Sequence, residues 1–264
     1  MSAEQRETKL PLDSEQPDKI PQRGIYLLPN LLTTAALFAG FYAIVAAMRG
    51  YFDTAAIAIF VAMIADGLDG RVARLTNTQS PFGAQYDSLS DMAAFGIAPA
   101  LVVYSWSLSS LGKLGWLAAF VYAAATALRL ARFNTQVSEK EYFQGLPCPS
   151  AAGMIASLVW LGSSYEVEAT TLSVPIAFMT IIVAALMVST VRYSSFKTVD
   201  FKGKVPFVTV VMAVFIIAGI ALEPPEVLFA LFSVYIISGP VMTLWRLHKM
   251  RKQRHGLEQK QGKK

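Results

Sequence analysis

Four aspartates stand close together in an otherwise apolar part of the sequence, with a spacing that places them on two helices. Asp66 and Asp69 are three residues apart and therefore share one face of a helix. Asp87 and Asp91 are four residues apart and share a face of a second helix. Pro81 lies between the pairs and lets the chain turn. Two antiparallel helices joined there would bring all four carboxylates into one pocket.

Carboxylates gathered in this way need a counter-charge. Four negative groups repel one another and are costly to remove from water. A bound divalent cation, or two, is the simplest way to keep them together. Because every ligand is an oxygen, a hard metal is favoured. We therefore expect the four carboxylates to bind magnesium or manganese, as two ions.

Three glycines lie beside the aspartates. Gly67 and Gly70 flank Asp69, and Gly83 comes one turn before the second acidic pair. The absence of side chains at these positions lets a bulky substrate approach the helix backbone. The two helices are therefore expected to border an open slot.

Two arginines, Arg71 and Arg74, follow the first acidic pair. Their positive charge suits a phosphate or a diphosphate. We expect Arg74 to have a functional role and Arg71 to be a topological anchor. Acidic residues, small residues and arginine together are typical of a site for metal-assisted phosphoryl transfer.

The spacing of these residues matches a known signature, D-G-x-x-A-R, eight residues, then G-x-x-x-D-x-x-x-D. The matching positions are Asp69-Gly70, Ala73-Arg74, Gly83, Asp87 and Asp91, preceded by Asp66-Gly67. The chain thereby resembles the CDP-alcohol phosphatidyltransferases, an all-α family of integral membrane enzymes.

Further segments resemble one branch of that family, the membrane-embedded phosphatidylserine synthases of bacteria and archaea. They are R-L-A-R-F-N at residues 129–134, F-Q-G-L-P-C-P-S-A-A-G at 143–153, L-P-N-L-L-T at 28–33 and S-D-M-A-A-F-G-I-A-P-A at 90–100. The resemblance covers roughly residues 25–155. It implies transfer of the phosphatidyl group of CDP-diacylglycerol to the hydroxyl of L-serine, with release of CMP, by an enzyme that is commonly a homodimer.

The resemblance also implies roles for the signature residues. Asp66, Asp69 and Asp87 would hold the metal ions, with Asp91 as the remaining carboxylate of the metal site. Asp91 would also be the general base that takes the proton of the acceptor hydroxyl. The donor, CDP-diacylglycerol, would be bound by Gly67, Gly70, Ala73, Arg74 and Gly83.

The serine acceptor carries a carboxylate, which needs a cation. Arg129 or Arg132 is the natural candidate, because an arginine beside a site at a helix end is costly without a partner. The alternatives are that both only anchor the helix at the membrane surface, or that either one binds substrate.

Two other readings of the function are open. Another family member would use glycerol phosphate, inositol phosphate or choline as acceptor, although a phosphorylated acceptor favours a denser basic pocket than two arginines supply. A cation transporter would use the aspartates as an ion path. That reading predicts acidic residues deep in several helices, whereas here they cluster at one end of two.

Composition places the chain in the membrane. It has 264 residues, of which 54% are hydrophobic and only 16% charged, and its apolar runs are long. Soluble domains have about 25% charged residues. The net charge of +5 does not indicate nucleic-acid binding, because the basic residues follow membrane topology. The single cysteine, Cys148, excludes an internal disulfide and is expected to be small and buried.

Apolar segments predict about eight transmembrane helices. They cover residues 30–48, 54–75, 83–107, 114–132, 150–164, 171–191, 206–222 and 227–245. Residues 24–247 form the transmembrane domain, between a polar cytoplasmic tail at 1–23 and a basic cytoplasmic tail at 248–264, which would lie against anionic headgroups. Asn30 and Thr33 are expected to cap the first helix, with a nucleotide contact as the alternative.

Basic residues predict the orientation of these helices. With both termini in the cytoplasm, all of the 23 lysines and arginines except Arg49 and Lys113 lie on the cytoplasmic side. Such a bias is typical of membrane proteins. The acidic site is then cytoplasmic too, in a multi-pass protein of the cell membrane (the plasma or inner membrane).

Overall fold

The structure, a computed structural model, describes residues 27–135, 143–193 and 207–261. Within these ranges the regular secondary structure is helical apart from one antiparallel pair of two-residue strands, β1 (Phe143–Gln144) and β2 (Arg192–Tyr193). The expected all-α membrane class is confirmed. The predicted polar tail at 1–23 lies outside the described residues.

Nine α-helices occur in the described chain. They are α1 (Leu27–Met48), α2 (Phe52–Leu75), α3 (Pro81–Asp91), α4 (Ala98–Trp106), α5 (Lys113–Thr135), α6 (Cys148–Ser164), α7 (Ser173–Val188), α8 (Phe207–Leu222) and α9 (Pro224–Gln261). A π-helix, Met92–Ile97, joins α3 to α4 into one continuous helical rod, and a 3₁₀ turn, Leu108–Leu111, precedes α5. The resulting eight rods follow the order of the eight predicted helices.

Four of these rods are long and apolar enough to cross a membrane, judged by length and composition. They comprise Leu28–Met48, Pro81–Trp106, Lys113–Thr135 and Pro224–Trp245. Ser173–Val188 and Val208–Leu222 are shorter apolar helices. Helix α2 is long, but its last three turns carry the charged residues of the candidate site. The chain is therefore a multi-pass membrane protein.

Small residues dominate the packing around α1 and α2, the two helices that approach most extensively. Most of the buried residues of α1 are small, and the buried face of α2 is mainly alanine as well. Those of α1 include Ala36, Ala39, Gly40, Ala43, Ala46 and Ala47. A Cβ on Gly40 would lie 2.6 Å from the Cα of Ala94 in the π-helix. Helices in lipid associate through close backbone packing of this kind, which brings the start of α1 against the acidic helices.

The π-helix and the proline that follows it disturb the backbone hydrogen bonds of the rod. In an α-helix the carbonyl of Phe95 would accept from residue 99, but Pro99 has no N–H. Tyr122 of α5, which is fully buried, instead donates its hydroxyl to that carbonyl at 3.1 Å. This hydrogen bond joins helix α5 to the rod one turn beyond Asp91. Single π-turns inside α-helices are often found at functional sites.

The same arrangement recurs in α9. Pro240 removes the α-helical donor for the carbonyl of Ile236, and the buried Tyr193 hydroxyl donates to this oxygen at 3.2 Å. Tyr193 belongs to β2, which pairs with β1, the strand before α6. The short sheet thus connects the loop before α6 to the middle of α9.

We expect Tyr122→Phe to lower the free energy of unfolding by about 1–3 kcal/mol, because a buried carbonyl loses its side-chain donor. The measurement is unfolding of the purified protein in detergent. Tyr104→Phe is the matched control, since this tyrosine lies on the same rod and has no hydrogen-bond partner among the described residues. Equal stability of the two variants would contradict the expectation.

Candidate active site

The first acidic pair lies near the C-terminus of α2, where the chain turns sharply. The helix ends in a turn in which the Thr78 amide donates to the Ala73 carbonyl at 3.0 Å. Asn77 takes the left-handed conformation that this ending requires, with φ of 52°. The predicted turn between the two acidic helices is therefore present, and it begins two residues after the signature arginine, Arg74.

The second acidic pair lies on α3, whose start is well defined. Ser80 caps the helix by accepting a hydrogen bond from the Gly83 amide at 3.0 Å, and Pro81 occupies the first turn. A Cβ on Gly83 would lie 3.2 Å from the Ser80 oxygen, so a larger residue would press on the cap. This cap starts the helix that carries Asp87 and Asp91.

Three of the four carboxylates meet in space. One oxygen from each of Asp66, Asp69 and Asp87 lies within 4.8 Å of the others. The Oδ1 atom of Asp87 is buried and has no hydrogen-bond partner in the described part of the chain. A buried anionic oxygen without a partner is costly, and an all-oxygen donor set suits a hard divalent cation. The three residues therefore fit a metal site.

Asp91 lies beside this group. Its carboxyl group is in hydrogen-bonding contact with that of Asp66. The structure thus brings all four predicted aspartates to one place, with three of them spaced to share an ion. That Asp91 ligates a metal stays a prediction.

Thr33 of α1 supports the cluster. Its hydroxyl donates to Oδ2 of Asp69 at 2.6 Å, and both residues are buried. The expectation that Asn30 and Thr33 cap the first helix is wrong, because α1 begins at Leu27 and both residues lie inside it. The wide spacing in sequence between Thr33 and Asp69 gave no local signal for this contact.

A cavity of about 410 Å³ opens next to Asp69 and Asp87. Its lining residues come from α1, α2, the turn after α2, α3 and the end of α5: Pro29, Asn30, Thr33, Asp69, Gly70, Ala73, Arg74, Thr78, Gln79, Ser80, Gly83, Ala84, Asp87 and Phe133. The set contains every residue predicted to bind the donor except Gly67. A Cβ on Gly70 would meet nothing within 4 Å, so this glycine leaves open space at the cavity wall.

Two hydrogen-bonded contacts hold α3 against its neighbours. Ser88 and Asn134 of α5 exchange hydrogen bonds at 2.9 and 3.2 Å. The hydroxyls of Tyr86 and Thr34 of α1 lie 2.9 Å apart. The sequence did not predict these contacts, although Asn134 ends the segment R-L-A-R-F-N. They fix the helix that carries the second acidic pair.

The two candidate arginines of α5 have different surroundings. Arg132 is exposed, and its Nη1 donates to the carbonyl of Val188 at 3.2 Å, at the end of α7. Arg129 donates from Nη1 to the sulfur of Cys148 at 3.1 Å. Its Nε is buried without a hydrogen-bond partner among the described residues. Cys148 is buried, as expected.

The arrangement is suited to a reaction between two substrates. The cavity bordered by Arg74 and Gly70 has room for a phosphate-bearing molecule, and the acidic cluster at its side fits a cation. Arg129 presents an unsatisfied donor on the neighbouring helix and thus offers a site for an anion.

The fold and the acidic signature together define a class of protein. A family model of the CDP-alcohol phosphatidyltransferases matches residues 26–179. The chain belongs to the CDP-alcohol phosphatidyltransferase family.

Individual relatives agree with this assignment. A CDP-diacylglycerol–serine O-phosphatidyltransferase of Helicobacter pylori is 35% identical over 234 residues, covering 88% of this chain and 97% of the relative. One of the same name from Bacillus subtilis is 34% identical over 170 residues, covering 64% and 91%. An archaetidylserine synthase of Methanothermobacter thermautotrophicus is 35% identical over 168 residues, covering 63% and 69%.

Replacement of Thr33 by valine removes the hydrogen bond to Asp69 with little change in volume. We expect the affinity for Mn²⁺ to fall about tenfold, because partners of metal ligands orient them. The measurement is the Mn²⁺ concentration needed to raise the melting temperature of the purified protein. Thr54→Val, which changes an exposed threonine near the start of α2, far from the cluster in sequence, is the control. Equal Mn²⁺ responses of the two variants would contradict a supporting role for Thr33.

Proposed function

We propose that this chain transfers the phosphatidyl group of CDP-diacylglycerol to the hydroxyl of L-serine and releases CMP. The observation that carries the proposal is a three-carboxylate cluster beside a cavity, in a chain that matches a serine phosphatidyltransferase over nearly its whole length. The names of the two other relatives also specify serine as the acceptor.

The donor would occupy the cavity between α1, α2 and α3. Arg74 lies at its wall and would bind the diphosphate, while Ala73 and the glycines leave room for the nucleotide. Gly67 lies outside the lining set, one turn before Gly70, and would act on the same helix face as Gly70. The lipid chains would extend from this site into the membrane.

The metal site would hold Mg²⁺ or Mn²⁺, as two ions. Asp66, Asp69 and Asp87 would be ligands, and Asp91 would be the fourth carboxylate around them. When bound, the ions supply positive charge that offsets the charge of the diphosphate and of the leaving CMP. Thr33 would keep the Asp69 carboxylate turned toward them.

Asp91 is the proposed general base. The serine hydroxyl oxygen would form a bond to the phosphorus that carries the diacylglycerol, as the bond from that phosphorus to the CMP oxygen breaks. Asp91 would take the hydroxyl proton. Direct displacement is favoured because the signature contains no nucleophilic serine, cysteine or histidine.

Arg129 is the stronger of the two candidates for the serine carboxylate. Its Nε is buried and unpartnered among the described residues, and its contact with Cys148 is to a weak acceptor. Arg132, by contrast, is exposed and bonded to the end of α7. A carboxylate ligand would satisfy Arg129, whereas Arg132 already has a structural role.

The proposal also covers the membrane orientation, the domain boundaries and the oligomeric state of the enzyme. The distribution of basic residues supports an orientation in which the acidic site and both termini would lie at the cytoplasmic face of the cell membrane. Residues 24–247 would form the catalytic domain, with short tails at 1–23 and 248–264. A homodimer is expected from the family resemblance.

The decisive experiment is release of CMP from CDP-diacylglycerol by the purified protein in detergent with Mn²⁺ or Mg²⁺. L-Serine, glycerol 3-phosphate, inositol phosphate and choline are compared as acceptors. We expect release with serine alone, its loss on metal chelation, and a fall of at least about a hundredfold in Asp91→Asn. Release with a different acceptor would overturn the serine assignment. No release with any acceptor would reopen the cation-transporter reading, which metal flux into vesicles would test.

The two arginines can be separated by matched substitutions. We expect Arg129→Gln to raise the KM for serine at least about tenfold with little change in the KM for CDP-diacylglycerol, since a charged hydrogen bond to the carboxylate is lost. Arg132→Gln should leave the KM for serine within about twofold. Equal effects on the two substrates, or a larger effect at Arg132, would contradict the assignment.

The cavity wall can be tested at its glycines. Gly70→Leu fills open space in the cavity, so we expect an unchanged melting temperature and a loss of activity of at least about tenfold at subsaturating CDP-diacylglycerol. Gly70→Ala is the graded comparison, because a single methyl group takes up much less of the same open space and should reduce the activity less. An equal loss in the two variants, or no loss in Gly70→Leu, would contradict the assignment of the cavity as the donor site.

A further inference from the structure

A residue of the C-terminal helix lies beside the candidate acceptor arginine. The hydroxyl of Tyr235, in α9, is hydrogen-bonded to that of Ser150, and its oxygen interacts electrostatically with Arg129. Ser150 is in the first turn of α6, two residues after Cys148, which accepts the hydrogen bond from Arg129. Helices α5 and α6 therefore meet at the guanidinium group of Arg129, and Tyr235 of α9 lies close to this contact through Ser150.

The metal site is close to this junction. The Cys148 sulfur is near enough to Asp91 for an electrostatic interaction, and it is in direct contact with Arg129. A small acceptor held by Arg129 would therefore be near the proposed base. Helix α9 lies beyond residues 26–179, the segment that the family model matches.

Tyr235 is held in place by its neighbours. Its ring packs against that of Tyr193, with 5.5 Å between centroids and 39° between planes. The hydroxyl of Tyr193 donates to the carbonyl of Ile236, next in the chain. Gly239 has no side chain where the Tyr193 ring passes, and a Cβ there would collide with the ring. The position of the Tyr235 side chain is thus fixed by the contacts that Tyr193 of β2 makes with α9.

We propose that Tyr235 is a specificity-determining residue, which joins Arg129 in binding the carboxylate of an amino-acid acceptor. The proposal rests on the serine phosphatidyltransferase function argued above. Arginine supplies charge and Tyr235 supplies a neutral hydroxyl with a defined direction. A site built to form hydrogen bonds with a substrate group discriminates strongly against analogues that lack it.

The test is steady-state kinetics of the full-length protein with Tyr235→Phe, which removes only the hydroxyl. We expect the KM for L-serine to rise about tenfold, with kcat and the KM for CDP-diacylglycerol within about twofold. Inhibition by 2-aminoethanol, which has the hydroxyl and amine of serine but no carboxylate, should not change. Tyr104→Phe is the control and should behave as the wild type.

A second variant guards against a general loss of structure. Ser150→Ala keeps the phenol but removes its hydrogen-bond partner, and we expect a smaller rise, of about threefold, in the KM for serine alone. Unchanged KM values for serine in both variants would overturn the proposal. So would an equal rise in the KM values for serine and CDP-diacylglycerol, or an equal weakening of inhibition by 2-aminoethanol.

The outcome is distinguishable from a failure of the function itself. If the wild type released no CMP with serine, the proposed function would be wrong. If the wild type were active and Arg129→Gln raised the KM for serine while Tyr235→Phe did not, only the role of Tyr235 would be wrong.

Discussion

The free-energy cost of holding several carboxylates close together in an apolar protein constrains the rest of this structure. Asp66, Asp69 and Asp87 come within 4.8 Å of one another, and Asp91 contacts the first of them. Charges at such distances are tolerated only with a counter-charge and with donors that hold each group in place. The capped start of α3 and the hydroxyl of Thr33 serve this second need.

Small side chains make the arrangement possible. The alanine faces of α1 and α2 pack closely enough for a threonine on one helix to reach an aspartate on the other. Close packing also brings α1 against the π-helix, which directly follows Asp91. In lipid, where apolar residues gain little by leaving one apolar medium for another, such packing stabilises helix association.

Prolines and tyrosines act together in the rest of the bundle. Pro99 and Pro240 each remove a backbone donor, and the buried hydroxyls of Tyr122 and Tyr193 donate to the affected carbonyls. An apolar interior provides no water for such groups, so a side chain from another helix or strand must replace it. Both bonds join elements that are distant in sequence, and one of them fixes the helix that carries Tyr235.

The amino-acid sequence by itself determined the class of fold, the order of the eight helical rods and the four aspartates, because apolar length and the spacing of polar residues are local properties of the chain. Helix ends were predicted to within a few residues, except that α9 continues to Gln261 instead of ending near residue 245, and that Asn30 and Thr33 lie inside α1 instead of capping it. Only the tertiary structure separated Arg129 from Arg132. Both stand in the same segment of α5, and their difference lies in what other helices place beside them, Cys148 for one and Val188 for the other. The contacts of Thr33, Asn134 and Tyr235 could not be predicted from the sequence for the same physical reason. Each contact joins helices that are far apart in the chain, and such packing leaves no local sequence pattern.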